Sequence, residues 1–293
     1  MLNHEISKSF KQRLAQGGAM LLPGAPNALA ARVIADLGFE GVYLTGAGLT
    51  NTYLGMPDMG FINLSEIAQH TSAIRGVTDL PIVVDADNGF GNALNVAHTV
   101  RVLERAGASA IQLEDQVTPK RCGHFAGKDV VPLAEARSRI RAAVDARQDE
   151  NTLIVARTDA RATEGYQAAL DRAAAFIEDG ADITFVEAPK TLDEVQGIPQ
   201  ALKGTPQLVN LVVGGHTPIM DLKTLDEMGF SLVLYANVAL QSALHGMQVA
   251  LGQLKEKTML DEDGPVASFA ERQRMVNKAH FDEMEKRYAL SEG

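Results

Sequence analysis

The chain has 293 residues, 46% hydrophobic, 5% aromatic and none Trp, with a formal net charge of −10. That hydrophobic fraction suffices for a sizeable core, and so few aromatics make the core aliphatic, as suits parallel strands covered by helices. The acidic balance speaks against a nucleic-acid partner, which needs a basic stripe to displace counterions. It leaves room for a small anionic substrate in a locally basic cleft. A single cysteine, Cys122, excludes an intrachain disulfide framework and points to a reducing cytoplasm. Residues 1–16 are polar and mixed in charge, unlike a signal peptide, and no apolar run approaches the roughly 20 residues needed to span a bilayer. No membrane partner is expected.

Short apolar, β-branched runs recur along the chain, each followed by a stretch of helical periodicity. The predicted strands cover residues 19–25, 41–46, 81–87, 110–115, 153–159, 183–188, 207–213 and 232–237. Helical patterns between them include 28–37, 94–105, 134–147 and 167–178, and Gly38, Gly107 and Gly180 stand just beyond apolar helical faces as stop signals. Strand–helix alternation requires right-handed crossovers and a parallel sheet. Eight such units close into a (β/α)8 TIM barrel, where five or six would leave an open, doubly wound sheet. Residues 1–293 therefore read as one barrel domain with a C-terminal helical extension over about 265–290. Within it, 269–288 reads as one charged amphipathic helix that has no strand of its own and is suited to docking on a neighbouring subunit.

In a barrel of this kind the chemistry sits at the C-terminal ends of the strands. The third strand ends Asp85-Ala86-Asp87-Asn88-Gly89, and strand alternation puts Asp85 and Asp87 on one face. The fourth ends Glu114-Asp115, and Asp58 lies in the loop after the second. Carboxylates converging at one mouth repel and raise one another's pKa, a conflict that a hard divalent cation resolves. The loop after the fourth strand reads Lys120-Arg121-Cys122-Gly123-His124, so Cys122 is flanked by cations that favour its thiolate and suit it to nucleophilic or acid–base work. Gly123 and Gly127 give this loop the freedom of a lid. Arg157 ends the fifth strand, where it can grip a carboxylate or pair with Asp159 or Glu187. Glu187 and Asn210 end the sixth and seventh. After the second strand, Thr45-Gly46-Ala47-Gly48 offers backbone N–H groups and a hydroxyl to an anion. His70, His98 and His245 fall within helical patterns and read as packing or surface residues.

Taken together, Thr45-Gly46, Gly55 to Asp58, Asp85 to Gly91, Glu114-Asp115-Gln116, Lys120 to His124, Ala156 to Asp159 and Asn210 resemble the isocitrate lyase/phosphoenolpyruvate mutase superfamily, over nearly the whole chain. The Lys-Arg-Cys-Gly-His loop is similar to that of 2-methylisocitrate and 2,3-dimethylmalate lyases, and carboxyphosphonoenolpyruvate phosphonomutases carry one like it. The resemblance implies Mg²⁺, with Mn²⁺ as a substitute, held directly by Asp85 and through water by Asp58, Asp87 and Glu114. It implies that Thr45, Gly46 and Ala47 hold the α-oxycarboxylate of the substrate, with Arg157 and Gly123 nearby. Glu187 and Asn210 would position loop and substrate. It further implies a carbon–carbon bond lyase acting by retro-aldol cleavage, in which Cys122 protonates the enolate carbon, Lys120 and His124 tune it, and Tyr43 helps move the hydroxyl proton. A swapped C-terminal helix and a dimer-of-dimers homotetramer belong to the same pattern.

The chain departs from that pattern at Asn88 (Thr expected), Val213 (acidic or polar), Ala236 (Pro) and Gln241 (Arg). The last bears on substrate size: a neutral amide does not match a guanidinium fork for an extra carboxylate. A substituted malate of four to six carbons is therefore expected rather than a tricarboxylate. Other readings open on this sequence are an oxaloacetate decarboxylase or hydrolase, a phosphonomutase-like enzyme, and a noncatalytic barrel.

Overall fold

The structure, a computed structural model, describes residues 1–120, 127, 129–261 and 263–289. Its strands are β1 (Met20–Ala25), β2 (Val42–Leu44), β3 (Ile82–Asp85), β4 (Ala110–Glu114), β5 (Leu153–Thr158), β6 (Ile183–Val186), β7 (Gln207–Asn210) and β8 (Leu232–Tyr235). They pair in parallel in chain order, and β8 returns to β1 to close the barrel, with Met20 opposite Leu232 and Pro23 opposite Tyr235. Helix α1 (Asn3–Ala15) precedes the barrel. The crossovers carry α2 (Ala28–Asp36), α3 (Gly46–Leu49), a π-helical turn (Thr50–Leu54), α4 (Leu64–Arg75), α5 (Ala93–Ala106), α6 (Leu133–Ala146), α7 (Ala160–Thr163), α8 (Tyr166–Glu178), α9 (Leu192–Ala201) and α10 (Leu222–Met228).

All eight predicted strands are present. Except for β1, each ends one to three residues before the sequence pattern does. The chain leaves the ladder where polar residues begin: Asp87 and Ala188 already have φ of 48° and 54°. Helix starts follow local chemistry, with the Asn27, Asn63, Asn92, Thr191 and Asp221 side chains each accepting from a first-turn N–H.

The inward side chains form one layered core that includes Met20, Leu22, Tyr43, Val83, Ala110, Leu153, Val155, Ile183, Phe185, Leu208, Leu232 and Leu234. Phe10 and Leu14 of α1 belong to the same cluster, so α1 covers the N-terminal end of the barrel and leaves the C-terminal end to the loops. A second apolar layer packs α2, α4, α5 and α6 on the outer faces of β2, β3 and β4.

The chain divides into two compact units, Met1–Val238 and Ala239–Gly293. The helices of the second are α11 (Val238–Lys257), α12 (Phe269–Met275) and α13 (Lys278–Tyr288). The single helix expected over 269–288 is two: Asn277 takes the left-handed conformation at φ 57°, which Asn tolerates better than most residues, and it restarts the helix. On α11, Leu244, Met247, Leu251 and Leu254 recur at spacings of three and four and are exposed. Among the described residues no helix is long and apolar enough to cross a membrane.

Closure of the barrel brings β1 and β8 so near that a Cβ on Gly24 would lie 1.8 Å from the Ala236 carbonyl oxygen. Gly24→Ala is therefore expected to cost more than about 3 kcal/mol or to prevent folding. Gly38 at φ 80° has nothing within 4 Å of a Cβ. Gly38→Ala should cost only about 1–2 kcal/mol. Urea unfolding of both variants checks the contrast.

Candidate active site

Alternation along a strand carries the barrel's inward set directly into its mouth. The inward residue after Val83 is Asp85, after Gln112 Glu114, after Val155 Arg157, after Phe185 Glu187, after Leu208 Asn210, after Tyr43 Thr45 and after Leu234 Ala236. These seven, with Ala47, Asp58 and Lys120, line one cleft at the C-terminal end. Of the residues singled out from sequence, Tyr43, Thr45, Ala47, Asp58, Asp85, Glu114, Lys120, Arg157, Glu187 and Asn210 meet there. Cys122, Gly123 and His124 lie outside the described residues.

Asp85 and Asp87 reach the mouth differently from the simple alternation expected. Asp85 is the last residue of β3, whereas Asp87 sits beyond it in a left-handed turn. Asp85 is held on three sides. The backbone N–H groups of Asp87 and Gly46 donate to it at 3.2 and 3.3 Å, and Gln112 Nε2 donates at 3.2 Å. The Gly46 amide is thus directed at a carboxylate of the protein, and a Cβ at Gly46 would lie 3.1 Å from Asp85 Oδ2. Thr45 caps α3 by accepting from Gly48 N, and its hydroxyl donates to Asn237 at 3.3 Å.

Lys120 is lodged among the carboxylates, its Nζ 2.6 Å from Asp58 Oδ1 and 2.7 Å from Asp87 Oδ1, with the side chain only 6% exposed. Burial works against its charge, but Asp87, Asp85 and Asp58 outweigh that and hold its pKa well above the ordinary lysine value. Burial pushes the Asp87 carboxyl up to about 7, with Lys120 pulling down and Asp85 and Asp58 pushing further up. Burial likewise holds Glu114 well above the usual carboxylate range against the pull of Arg157. Glu114 Oε1 is buried without a hydrogen-bond partner among the described residues.

The Arg157 fork is occupied by the protein: Nε and Nη2 donate to the two Asp159 oxygens at 2.9 and 3.0 Å. Glu114 lies 3.4 Å and Glu187 3.9 Å away, and the guanidinium stacks 5.2 Å over the Phe185 ring. Tyr43 is fully enclosed; burial first, then Asp85, raises its phenol pKa well above 10, so it is a neutral donor. It donates to Gln112 Oε1 at 2.9 Å.

Gln112, Val212, Leu234 and Asn237 were not foreseen as part of the mouth or its support. The signal for Gln112 is a polar residue inside an apolar run, two positions before Glu114 and therefore on the same face. Asn88 joins the turn after β3 to the loop after β4, donating to Thr118 Oγ1 at 2.8 Å. Val213 is 57% exposed, and its neighbour Val212 lines the cleft instead. His70 and His98 lie on α4 and α5, away from the mouth, and His70 packs edge-on to Tyr53 at 5.4 Å. His245 lies on α11, and Gln241 belongs to the same second unit.

Residues 10–255 match the phosphoenolpyruvate phosphomutase family. The chain belongs to that family. Its relatives include the 2,3-dimethylmalate lyase of Eubacterium barkeri, 38% identical over 96% of this chain and 97% of that one. A 2-methylisocitrate lyase of Aeropyrum pernix is 44% identical over 81% of this chain and 76% of its own length. A crystal structure of 2,3-dimethylmalate lyase superposes with a TM-score of 0.92 at 32% identity, covering 98% of this chain and 96% of that chain. A phosphonopyruvate hydrolase solved with oxalate and Mg²⁺ superposes at 0.88 and 28% identity, covering 98% and 99%. The family, the barrel and the mouth agree on an enzyme of the carbon–carbon lyase type.

Asp115, next to Glu114, faces the opposite side of β4 and accepts from Thr158 Oγ1, Asp159 N and Arg172 Nη1 at 2.6, 2.9 and 3.4 Å. Burial and then Asp159 push its carboxyl up to about 6. As pH falls through about 6 the folded chain takes up this proton before the unfolded chain does, so this group's contribution to stability rises toward acid. Asp115→Asn abolishes the titration. Wild type is expected to gain about 2–3 kcal/mol over the variant between about pH 7.5 and pH 4, measured by urea unfolding of both proteins.

Proposed function

We propose that this chain cleaves a carbon–carbon bond of a small 2-hydroxy dicarboxylate of the substituted-malate type. The products are a 2-oxo acid such as pyruvate and a second carboxylate, and Mg²⁺ serves as cofactor, with Mn²⁺ as a substitute. The observation that carries this reading is the composition of the mouth. Three carboxylates, Asp58, Asp85 and Glu114, and two cations, Lys120 and Arg157, face a cleft whose remaining wall includes Ala47, Val212, Leu234 and Ala236, and a fourth carboxylate, Asp87, pairs with Lys120 beside it. Anionic groups have a place in it, and so does a short alkyl substituent.

The residues suit Mg²⁺. Among the described residues the carboxylates of Asp58, Asp85, Asp87 and Glu114 lie around two cations, Lys120 and Arg157, a donor set with a place for a divalent cation. Among the described residues no three His, Cys, Asp or Glu side chains could hold a metal by themselves. That matches an ion which takes one or two carboxylates directly and keeps several waters. By the family pattern Asp85 would be the direct ligand, with Asp58, Asp87 and Glu114 acting through water, Glu114 by its Oε2, the oxygen that lies 3.4 Å from Arg157. When bound, Mg²⁺ would polarise the hydroxyl and carboxylate oxygens of the substrate.

The chain's own groups do the rest. Tyr43 donates to Gln112 and Gln112 to Asp85, fixing that carboxylate, and the Gly46 amide supports it from the other side. Thr45 and Ala47 line the wall that seats the α-oxycarboxylate end, and Gly46 serves it through its hold on Asp85. Arg157, its fork held by Asp159, presents a fixed positive charge rather than a mobile clamp. The substrate hydroxyl passes its proton to water in the mouth and becomes the 2-oxo group, with Tyr43, a neutral donor, a hydrogen-bonding partner in that transfer. The electron pair of the breaking bond passes to the leaving carbon, which takes a proton from Cys122. Lys120 and His124 set the acidity of that thiol, while Glu187, Asn210 and Gly123 position loop and substrate. The exposed apolar face of α11 fits a second unit that docks on a neighbouring subunit in a cytoplasmic homotetramer.

With Mg²⁺ present, 2,3-dimethylmalate and other substituted malates are expected to release 2-oxo acid, and chelator to abolish the release. 2-Methylisocitrate should turn over more slowly, because Gln241 stands where Arg is expected. Turnover of 2-methylisocitrate at or above the rate of the malates would overturn the substrate reading, and activity on oxaloacetate alone would make the enzyme a decarboxylase or hydrolase. Cys122→Ser is expected to lower kcat by about 100-fold or more; full activity in that variant would remove Cys122 from the mechanism.

A further inference from the structure

The buried face of α6 is Ala136, Arg139, Ile140, Ala143 and Ala146, an apolar stripe at helical spacing interrupted by one arginine. An arginine in such a stripe is costly unless its donors are used, and a leucine or methionine would fill the space without that cost. The Arg139 side chain is only 9% exposed, and only its Nη2 is paired, with Glu135 at 2.6 Å. Nε and Nη1 are buried without a hydrogen-bond partner among the described residues. Arg139 lines a small pocket together with Asn88, Glu114 and Asp115, and Glu114 and Arg157 line both this pocket and the mouth. Glu114 Oε1 is itself a buried acceptor without a partner. Two residues that carry orphaned buried polar atoms thus border one space, which admits roughly one water molecule, and a buried water with two to four polar partners is an ordinary structural element.

We propose that Arg139 is a positioning residue for Glu114. One of its two orphaned donors donates to a buried water, which donates to Glu114 Oε1 and leaves Oε2 toward the mouth. An outer partner of this kind orients a carboxylate that acts on the metal, and losing it typically weakens metal binding about 10–100-fold. The inference rests on the Mg²⁺ reading of the mouth.

The test is calorimetric titration of Mg²⁺, without substrate, into wild type, Arg139→Met and Arg139→Lys, each checked for folding by circular dichroism. Arg139→Met keeps the bulk and loses every donor, and its Mg²⁺ affinity is expected to fall about 10-fold. Arg139→Lys keeps the charge but not the fork and should fall between the other two. Affinity unchanged from wild type in a folded Arg139→Met protein would overturn the proposal, whatever happens to its stability. If that variant does not fold, Arg139→Lys decides alone: weakened Mg²⁺ binding supports the role and unchanged binding overturns it. A wild type that binds no Mg²⁺ overturns the metal reading and this inference together, a result distinct from normal binding in all three.

Discussion

Everything in the mouth depends on one geometric constraint, the two-residue alternation of strands in a closed parallel barrel. Once the interior layer is apolar, the next inward position on every strand must point into the same space. The chain supplies Thr45, Asp85, Glu114, Arg157, Glu187, Asn210 and Ala236 at those positions. With α1 covering the other end through Phe10 and Leu14, the interior opens in one direction only. Shifting one of these strands by a single residue would exchange its mouth residue for an outward-facing neighbour, as the opposite fates of Glu114 and Asp115 illustrate.

The second organising feature, among the described residues, is a surplus of buried negative charge. Lys120 between Asp58 and Asp87, and Arg157 on Asp159, neutralise part of it. Because burial penalises every carboxylate that must ionise, what is left appears as the raised Asp87 and Glu114. A site in this condition favours any ligand that brings positive charge, and a hydrated divalent cation does so without needing three protein ligands. The same surplus explains why the two cations are so firmly held: both lie deep among acids, and neither is a loose surface clamp.

Support for the mouth extends outward by hydrogen bonds from groups that do not react. Tyr43 and Gln112 hold Asp85 from inside the barrel. Asp115, Thr158 and Arg172 tie the ends of β4 and β5 together from outside. The membership shown by residues 10–255 is consistent with this division, since lyases and a hydrolase sharing the barrel differ in the substrates for which they are named. Fold alone does not select the reaction.

The sequence by itself determined the eight strands, their parallel order and the end of the barrel where polar residues gather, because period-two apolar runs and Gly-terminated helices are local signals. It also determined most of the mouth: Asp58, Asp85, Glu114, Lys120, Arg157, Glu187 and Asn210 all follow polar breaks at strand ends. Only the tertiary structure decided which neighbours those residues meet. That Arg157 spends its fork on Asp159, that the Gly46 amide faces Asp85, and that Lys120 sits between two carboxylates depend on distances across different strands and loops, for which no local pattern codes. Asp87 arrives from a left-handed turn rather than from the strand, and Asn277 divides a continuous helical pattern into two helices. In both cases one backbone torsion overrides a periodicity that reads correctly on either side. Gln112 escaped notice because it is a single polar residue within an otherwise apolar run, and its use becomes visible only when Tyr43 and Asp85 flank it in space.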